Sequence, residues 1–352
     1  ISASATHTAV QPAASRTLRC FELIREQRLG TPASLDREND PEASGLIGQE
    51  QTLTTTDRGV LEAKLTSVNP NFAAVFVDYL HRLRLKPGDA VAVSLTGSFP
   101  ALNIALLAAM DELQLKAIPI TSVGASMWGA NDPAFTGLDR ERMLHERQVL
   151  STRSIAASLG GSNDRGRGLS PKGRALLRDA IARAGITPIS EPTLEESIQR
   201  RLALYDEAAK PEHVKAFVNV DGGSAAIGNQ MGADLLRPGV NRKIPQHNWT
   251  QRGVLHHFAA RGVPVIHVLN VESIARTYGL PLMPERVPPV GQGRIFYREG
   301  YDLRIVAPSL AVYLVLCFGV LRARQKAARA AREVADPLMA GVSQAAGERS
   351  GG

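Results

Sequence analysis

Apolar and polar positions follow two rhythms along this chain, and the clearest change from one to the other lies in residues 88–126. The turn pair Gly88-Asp89 leads into an apolar, β-prone run over residues 90–95. Thr96-Gly97-Ser98 interrupts it. Pro100 then stands where a first-turn proline is tolerated, and residues 101–113 are rich in strong helix formers. A second β-like run, residues 116–120, ends in Thr121-Ser122-Val123-Gly124-Ala125-Ser126. Strand, loop, helix, strand is a βαβ unit, which predicts parallel strands joined by a crossover. Both small-residue loops then fall at strand C-termini, where open α/β sheets bind ligands.

The same rhythms recur on either side. Residues 1–15 are small and polar and predict a linker or a disordered segment. Residues 16–28 carry helical spacing through Leu18, Phe21 and Ile24. Asn69-Pro70 predicts a helix start leading into residues 72–85. A polar helix with core positions Leu138, Met143 and Leu144 follows, then a short apolar run over 155–159 and a long glycine loop over 160–168. Ser170-Pro171 caps a helix over 172–184, and Thr193 with Glu196 forms a capping box for a helix over 193–208. Residues 216–220 predict a strand that runs into Asp221-Gly222-Gly223-Ser224, and residues 263–270 another, preceded by a helix over 249–261. The pattern predicts one α/β domain over 16–302, a three-layer sandwich with a mainly parallel sheet.

Residues 305–321 are seventeen without a charge, at the short end for a membrane-spanning helix, and predict a span over 303–322. Arg322, Arg324, Lys326, Arg329 and Arg332 follow it, in a tail over 323–352 expected to be basic and partly disordered. By the positive-inside tendency these charges put the C-terminus in the cytoplasm and the globular part outside, while Arg294, Arg298 and Arg304 on the other flank weigh against that orientation.

Charge and composition narrow the function classes. The net charge of +7 over 352 residues is modest, and nearly half of it lies after Leu321, so it does not describe a basic binding face. With few aromatics and no nucleic-acid-binding motif, no nucleic acid partner is expected. Cys20 and Cys317 have no metal-ligand spacing and are not expected to pair; no metal and no cofactor is expected.

Candidate chemistry gathers at the strand-to-loop junctions. In Thr96-Gly97-Ser98, backbone N–H groups at a helix start make a site for phosphate or carboxylate, and the hydroxyls of Thr96 and Ser98 add donors. Ser98 is equally readable as a helix cap. Asp221 with Gly222, Gly223 and Ser224 can face a ligand across the same crevice, as a base, as a hydroxyl-orienting group or as a metal ligand; the alternative is an N-cap for the following helix. His267 sits inside an apolar strand, where core and catalytic roles are both open, and Asn270 at that strand's end is placed to touch a ligand. The catalytic candidates are therefore Ser98, Asp221 and His267. The binding candidates are Thr96, Gly97, Ser98, Thr121, Ser122, Ser126, Asn131, Asp221, Gly222, Gly223, Ser224 and Asn270. Asp132 and Asp164 are loop carboxylates without a visible partner.

Two resemblances follow from these residues. The serines and glycines of 94–98, with Ile120-Thr121-Ser122 after the helix, look like the sugar-phosphate loops of sugar isomerase (SIS) domains, which implies a Rossmann-like or SIS-like sheet. A longer set comprises Ser44-Gly45-Leu46-Ile47-Gly48, Asn69-Pro70-Asn71-Phe72, Gly97-Ser98-Phe99-Pro100 and Gly124-Ala125-Ser126-Met127-Trp128-Gly129-Ala130-Asn131, together with residues 219–228. This set resembles the poly-γ-glutamate system protein family of the PgsW type, over about residues 16–321. The family pattern has an N-terminal hydrophobic anchor as well as a C-terminal one, and only the latter is visible in this sequence. The resemblance implies a membrane-anchored accessory protein in the synthesis or export of an anionic γ-linked glutamate polymer (a capsule or exopolymer), with the membrane ligase and export proteins as partners. It supplies no catalytic residues. In that reading the crevice, with loop arginines such as Arg165 and Arg167, binds polymer carboxylates or a small anion. The alternatives are a hydrolase or transferase acting on the polymer through Ser98 or Asp221, and a SIS-like phosphosugar binder.

Overall fold

The computed structural model describes residues 5–31, 35–229, 236–245, 251–297 and 303–347. It divides into two compact units, residues 1–297 and 298–352.

The first unit is built on a seven-stranded sheet. In chain order its strands are β2 (Ala90–Thr96), β3 (Lys116–Ser122), β5 (Ala156–Ser158), β6 (Thr187–Pro188), β7 (Ala216–Val220), β8 (Gly239–Asn241) and β9 (Val265–Val268). Their spatial order is β6-β5-β3-β2-β7-β9-β8, parallel throughout except for β8 against β9. From β2 the chain first winds outward through β3, β5 and β6; it later returns to the other flank of β2 as β7 and continues outward to β9. The winding direction therefore reverses between β2 and β7. All seven residues of β2 and all five of β7 are buried, as expected of central strands covered on both faces.

Helices cover both faces. On one, α1 (Ala5–Leu29), α3 (Phe72–Arg82) and α4 (Pro100–Glu112) pack together over Val91, Val93, Val218 and Ile266. On the other, α7 (Leu194–Ala209) and the helix Val254–Ala260 cover Ala92, Ile118, Phe217 and Val265. Every residue of α4 from Pro100 to Met110 is buried, and apart from Asn103, whose amide donates to the Thr96 carbonyl, this stretch is apolar all round instead of striped. The predicted three-layer α/β arrangement is present.

Several boundaries differ from the sequence pattern. Residues 5–15 of the expected linker are the first half of α1, with Ala9, Val10, Ala13 and Ala14 buried, and residues 1–4 lie outside the described residues. Small side chains there let the helix approach its neighbours closely, and small residues are what made the segment look unstructured. Thr121 and Ser122 belong to β3, not to the loop after it. A two-strand ladder, β1 (Thr55–Asp57) with β4 (Ala125–Ser126), and a short helix, α2 (Leu61–Ser67), complete the carboxyl edge of the sheet. The helix expected from Trp249 is seen as Val254–Ala260; Trp249 and Thr250 lie outside the described residues.

The second unit is one helix, Leu303–Gly347, in which Val306–Ala330 is long and apolar enough to cross a membrane. Val312, Tyr313, Leu314, Val315 and Leu316 are exposed, so this stretch is not a core helix of its unit. The basic tail expected to be partly disordered continues the helix to Gly347, through strong helix formers such as Ala327, Ala328, Arg329 and Ala330. Residues 348–352, the end of that tail, lie outside the described residues.

Candidate functional site

The reversal of winding between β2 and β7 leaves a crevice at the carboxyl ends of these strands, the position where open α/β sheets place ligands. A cavity of about 450 Å³ occupies it. Thr96, at the end of β2, donates from Oγ1 to Asp221 Oδ2 at 2.7 Å and so bridges the reversal point. Asp221 follows β7 directly and holds φ at +72°, an uncommon backbone conformation for a residue with a side chain. Gly222, Gly223 and Ser224 continue the wall, and Ser224 Oγ donates to the Gly161 carbonyl at 3.0 Å, joining this wall to the glycine loop.

The opposite wall comes from β1, β4, α2 and the loop between β1 and α2. Thr56, Asp57, Arg58 and Gly59 line it, with Ser126 and Lys64. Gly124 has to be glycine: a Cβ there would lie 2.4 Å from Thr56 Cγ2. Lys64 is the residue that the sequence pattern did not bring forward. It is 2% exposed, and its Nζ donates to the Ser98 carbonyl at 2.6 Å and to Ser126 Oγ at 2.8 Å. The Phe99 ring centroid lies 3.8 Å from the same nitrogen. Burial pushes the Lys64 amine down to about 8, and the Asp221 carboxylate works weakly against that shift. A signal was present: Leu61, Lys64, Leu65 and Val68 repeat at helical spacing, so the lysine occupies an apolar phase of α2.

No family model, curated protein or solved structure matches this chain.

Of the residues expected to bind ligand, Thr96, Ser98, Ser122, Ser126, Asp221, Gly222, Gly223 and Ser224 line the one cavity. The turn N–H groups of Gly97 and Ser98 do not. Gly97 N donates to the carbonyls of Ser122 and Gly124, and Ser98 N donates to Thr96 Oγ1, so both serve the chain and not an anion. Ser98 Oγ accepts from Ser126 N at 3.2 Å, which makes it a support for Ser126.

Thr121, Asn131, Asn270 and His267 stand outside the lining. Thr121 points to the opposite side of β3 from Ser122, toward Ser154 Oγ at 2.7 Å and Glu141. Asn131 is buried, and its side chain and carbonyl tie Gln49, Thr52, Thr54 and Thr55 together. Asn270 is an N-cap, accepting from Ser273 N at 3.2 Å. His267 is fully buried in the β7–β9 ladder, opposite Asn219, with Nδ1 3.1 Å from the Asn219 amide nitrogen.

The two loop carboxylates have partners. Asp132 pairs with Arg28 at 2.6 Å, joining α1 to the loop after β4. Asp164 pairs with Arg201 of α7 at 2.9 Å, both side chains 1% exposed, and accepts hydroxyls from Ser122, Ser158 and Ser197. This buried cluster anchors the glycine loop, whose bridges Gly160–Arg165 and Ser162–Arg167 fold it back on itself. On one side of the loop Gly161 and Ser162 face the crevice. On the other, Asn163, Asp164, Arg165 and Arg167, with Arg174 and Arg178 of α6 (Pro171–Ala184), line a second cavity of about 510 Å³. Among the described residues no group of three or more His, Cys, Asp or Glu side chains is arranged to hold a metal ion.

Proposed function

We propose that this chain is a membrane-anchored accessory protein that binds an anionic γ-linked glutamate polymer along the carboxyl edge of a Rossmann-like sheet, alongside the membrane proteins that make or export it. The observation that carries the reading is the arginine-lined cavity beside the crevice. Four arginines, Arg165, Arg167, Arg174 and Arg178, line it; Arg165 and Arg174 each also donate from Nη1 to a backbone carbonyl, of Pro192 and of Leu169, and the one lining carboxylate, Asp164, is already paired with Arg201. Guanidinium groups bind carboxylates with two parallel hydrogen bonds, so such a basin suits several carboxylates spaced along a chain more than a single small anion. One glycine loop separates it from the crevice, a span that a polymer can bridge and a monosaccharide phosphate does not need. The resemblance of residues 16–321 to the PgsW type supplies the same substrate class. The basic residues that follow the apolar stretch favour an outward-facing globular unit.

Calorimetry on the full chain in detergent micelles tests this reading, with glutamate, γ-glutamyl oligomers of increasing length and a phosphosugar as ligands. Affinity is expected to grow with oligomer length, to fall as salt screens the charges, and to drop at least about ten-fold in the double variant Arg167→Glu/Arg178→Glu. Tight binding of the phosphosugar alone would replace this reading with a SIS-like one.

A further inference from the structure

We infer that Ser126 is an acyl-accepting nucleophile and Lys64 its general base, so that the crevice cleaves or transfers the amide-linked acyl groups of its ligand. The inference takes its substrate class, the γ-glutamyl amide, from the reading above; the nucleophile itself is argued from geometry alone.

Lysine is almost never fully buried unless it is paired. Lys64 is buried, yet none of the ion pairs among the described residues includes it. Its polar partners are a carbonyl and a serine hydroxyl, at 2.6 and 2.8 Å. For stability alone an apolar side chain would serve better at this position, since a buried unpaired cation is costly. What the arrangement provides is an amine that burial drives toward its neutral form, with its lone pair available to the Ser126 hydroxyl. That is the way a desolvated lysine activates a nucleophile. Ser126 is held on both sides: its N donates to Ser98 Oγ, and β4 pairs with β1. Both side chains line the crevice cavity, where a ligand can reach them. Ser98, which the sequence pattern favoured, is the positioning residue behind the pair.

The chemistry closes with water as the only co-reactant. Ser126 Oγ bonds to the carbonyl carbon of the amide while its proton passes to Lys64 Nζ. The C–N bond then breaks, and Lys64 returns that proton to the departing amine. Water attacks the acyl-serine ester, giving a proton to Lys64. The ester C–O bond breaks, the carboxylic acid leaves, and Ser126 Oγ recovers the proton. An amine in place of water gives transfer.

The test uses the full chain in detergent micelles with a fluorophosphonate probe, the adduct being located by peptide mass spectrometry. A single adduct on Ser126 is expected, abolished in S126A and slowed at least about ten-fold in K64M. Its rate should rise with pH as Lys64 loses its proton; Asp57, Arg58 and Asp221 are the other charged groups lining the cavity. No adduct, an adduct on another serine, or labelling of Ser126 that K64M leaves unchanged overturns the pair. If K64M fails to fold, S126C carries the test: a thiol beside Lys64 should react with iodoacetamide at neutral pH at least about ten-fold faster than free cysteine, and a rate no faster than free cysteine overturns the pair. Titrating γ-glutamyl oligomers into S126A separates the two levels. Oligomer binding without Ser126 labelling removes the nucleophile and keeps the polymer reading; labelling without oligomer binding keeps the nucleophile and removes the γ-glutamyl substrate.

Discussion

Lys64 is the side chain on which the chemistry of the crevice turns, and its burial has a consequence for stability that can be measured apart from any activity. In the folded protein its amine is pushed down to about 8, against 10.5 for the free side chain. Below the lower value both the folded and the unfolded chain carry the proton, and this group adds no pH dependence. Between the two values the unfolded chain holds a proton that the folded chain has lost, so unfolding binds protons and stability rises with pH. Relative to K64M, the wild type should therefore gain about 2 kcal/mol as the pH is raised from about 8 to about 10. Urea unfolding of both proteins across that range checks it, and parallel curves would mean that Lys64 ionises as it does in water. Asp221 and Ser126 were visible in the sequence because small polar residues cluster after β-like runs. Lys64 was hidden for the opposite reason: a lone lysine in a short amphipathic stretch reads as a solvated side chain until its helix is packed.

Single elements depend on pairs that no local pattern announces. The glycine loop hangs on Asp164, whose buried carboxylate takes the Arg201 guanidinium and three serine hydroxyls. Removing one member leaves the other charged and buried. Arg201→Met should thus destabilise the protein by about 3 kcal/mol or more, and the double change with Asp164→Asn should recover part of that loss. Thermal or denaturant unfolding of the three variants decides it; additive losses would mean that the two residues are not coupled. Asp132→Ala should destabilise the junction of α1 with the loop after β4 in a similar way, because Arg28 is 5% exposed and would lose its carboxylate. In contrast, the capping box at Thr193 and Glu196 and the serine cap at Ser170 are as predicted, since caps are local. α1 shows the converse. Its second half was legible from larger apolar residues, whereas its first half packs through alanines, which carry too little hydrophobic contrast to show a period.

At the scale of the whole molecule, the C-terminal helix is long and apolar enough to cross a membrane. Val312, Tyr313, Leu314, Val315 and Leu316 of its uncharged part are exposed, which is costly in water and expected of a helix that crosses a bilayer. In the proposed orientation, a protease added to intact cells or spheroplasts should remove the globular unit and spare the basic C-terminal segment. Protection of the globular unit would reverse the orientation without touching the site. Within the globular unit, the parts that meet in the crevice come from distant stretches of chain. Thr96 and Asp221 are 125 positions apart, and their hydrogen bond exists because β7 returns to the free flank of β2. Other distant stretches converge as well: Gly48 N donates to the Trp128 carbonyl, and Ala130 N to that of Gly97.

Hydrophobic period, helix formers, caps and glycine placement are properties of neighbouring residues. They sufficed to read the βαβ unit, the parallel α/β class, most helix bodies and the apolar C-terminal stretch directly from the chain. Strand order, the direction in which the sheet winds and the partners of buried charges are properties of residues far apart, and many pairings are compatible with one pattern. Only the packed fold shows that Ser98 backs Ser126, that Thr121 and Asn131 belong to the interior, and that Lys64 stands buried beside a serine hydroxyl at the wall of the crevice. Burial and proximity, which set whether an amine is charged and what it can react with, do not exist until the chain has folded.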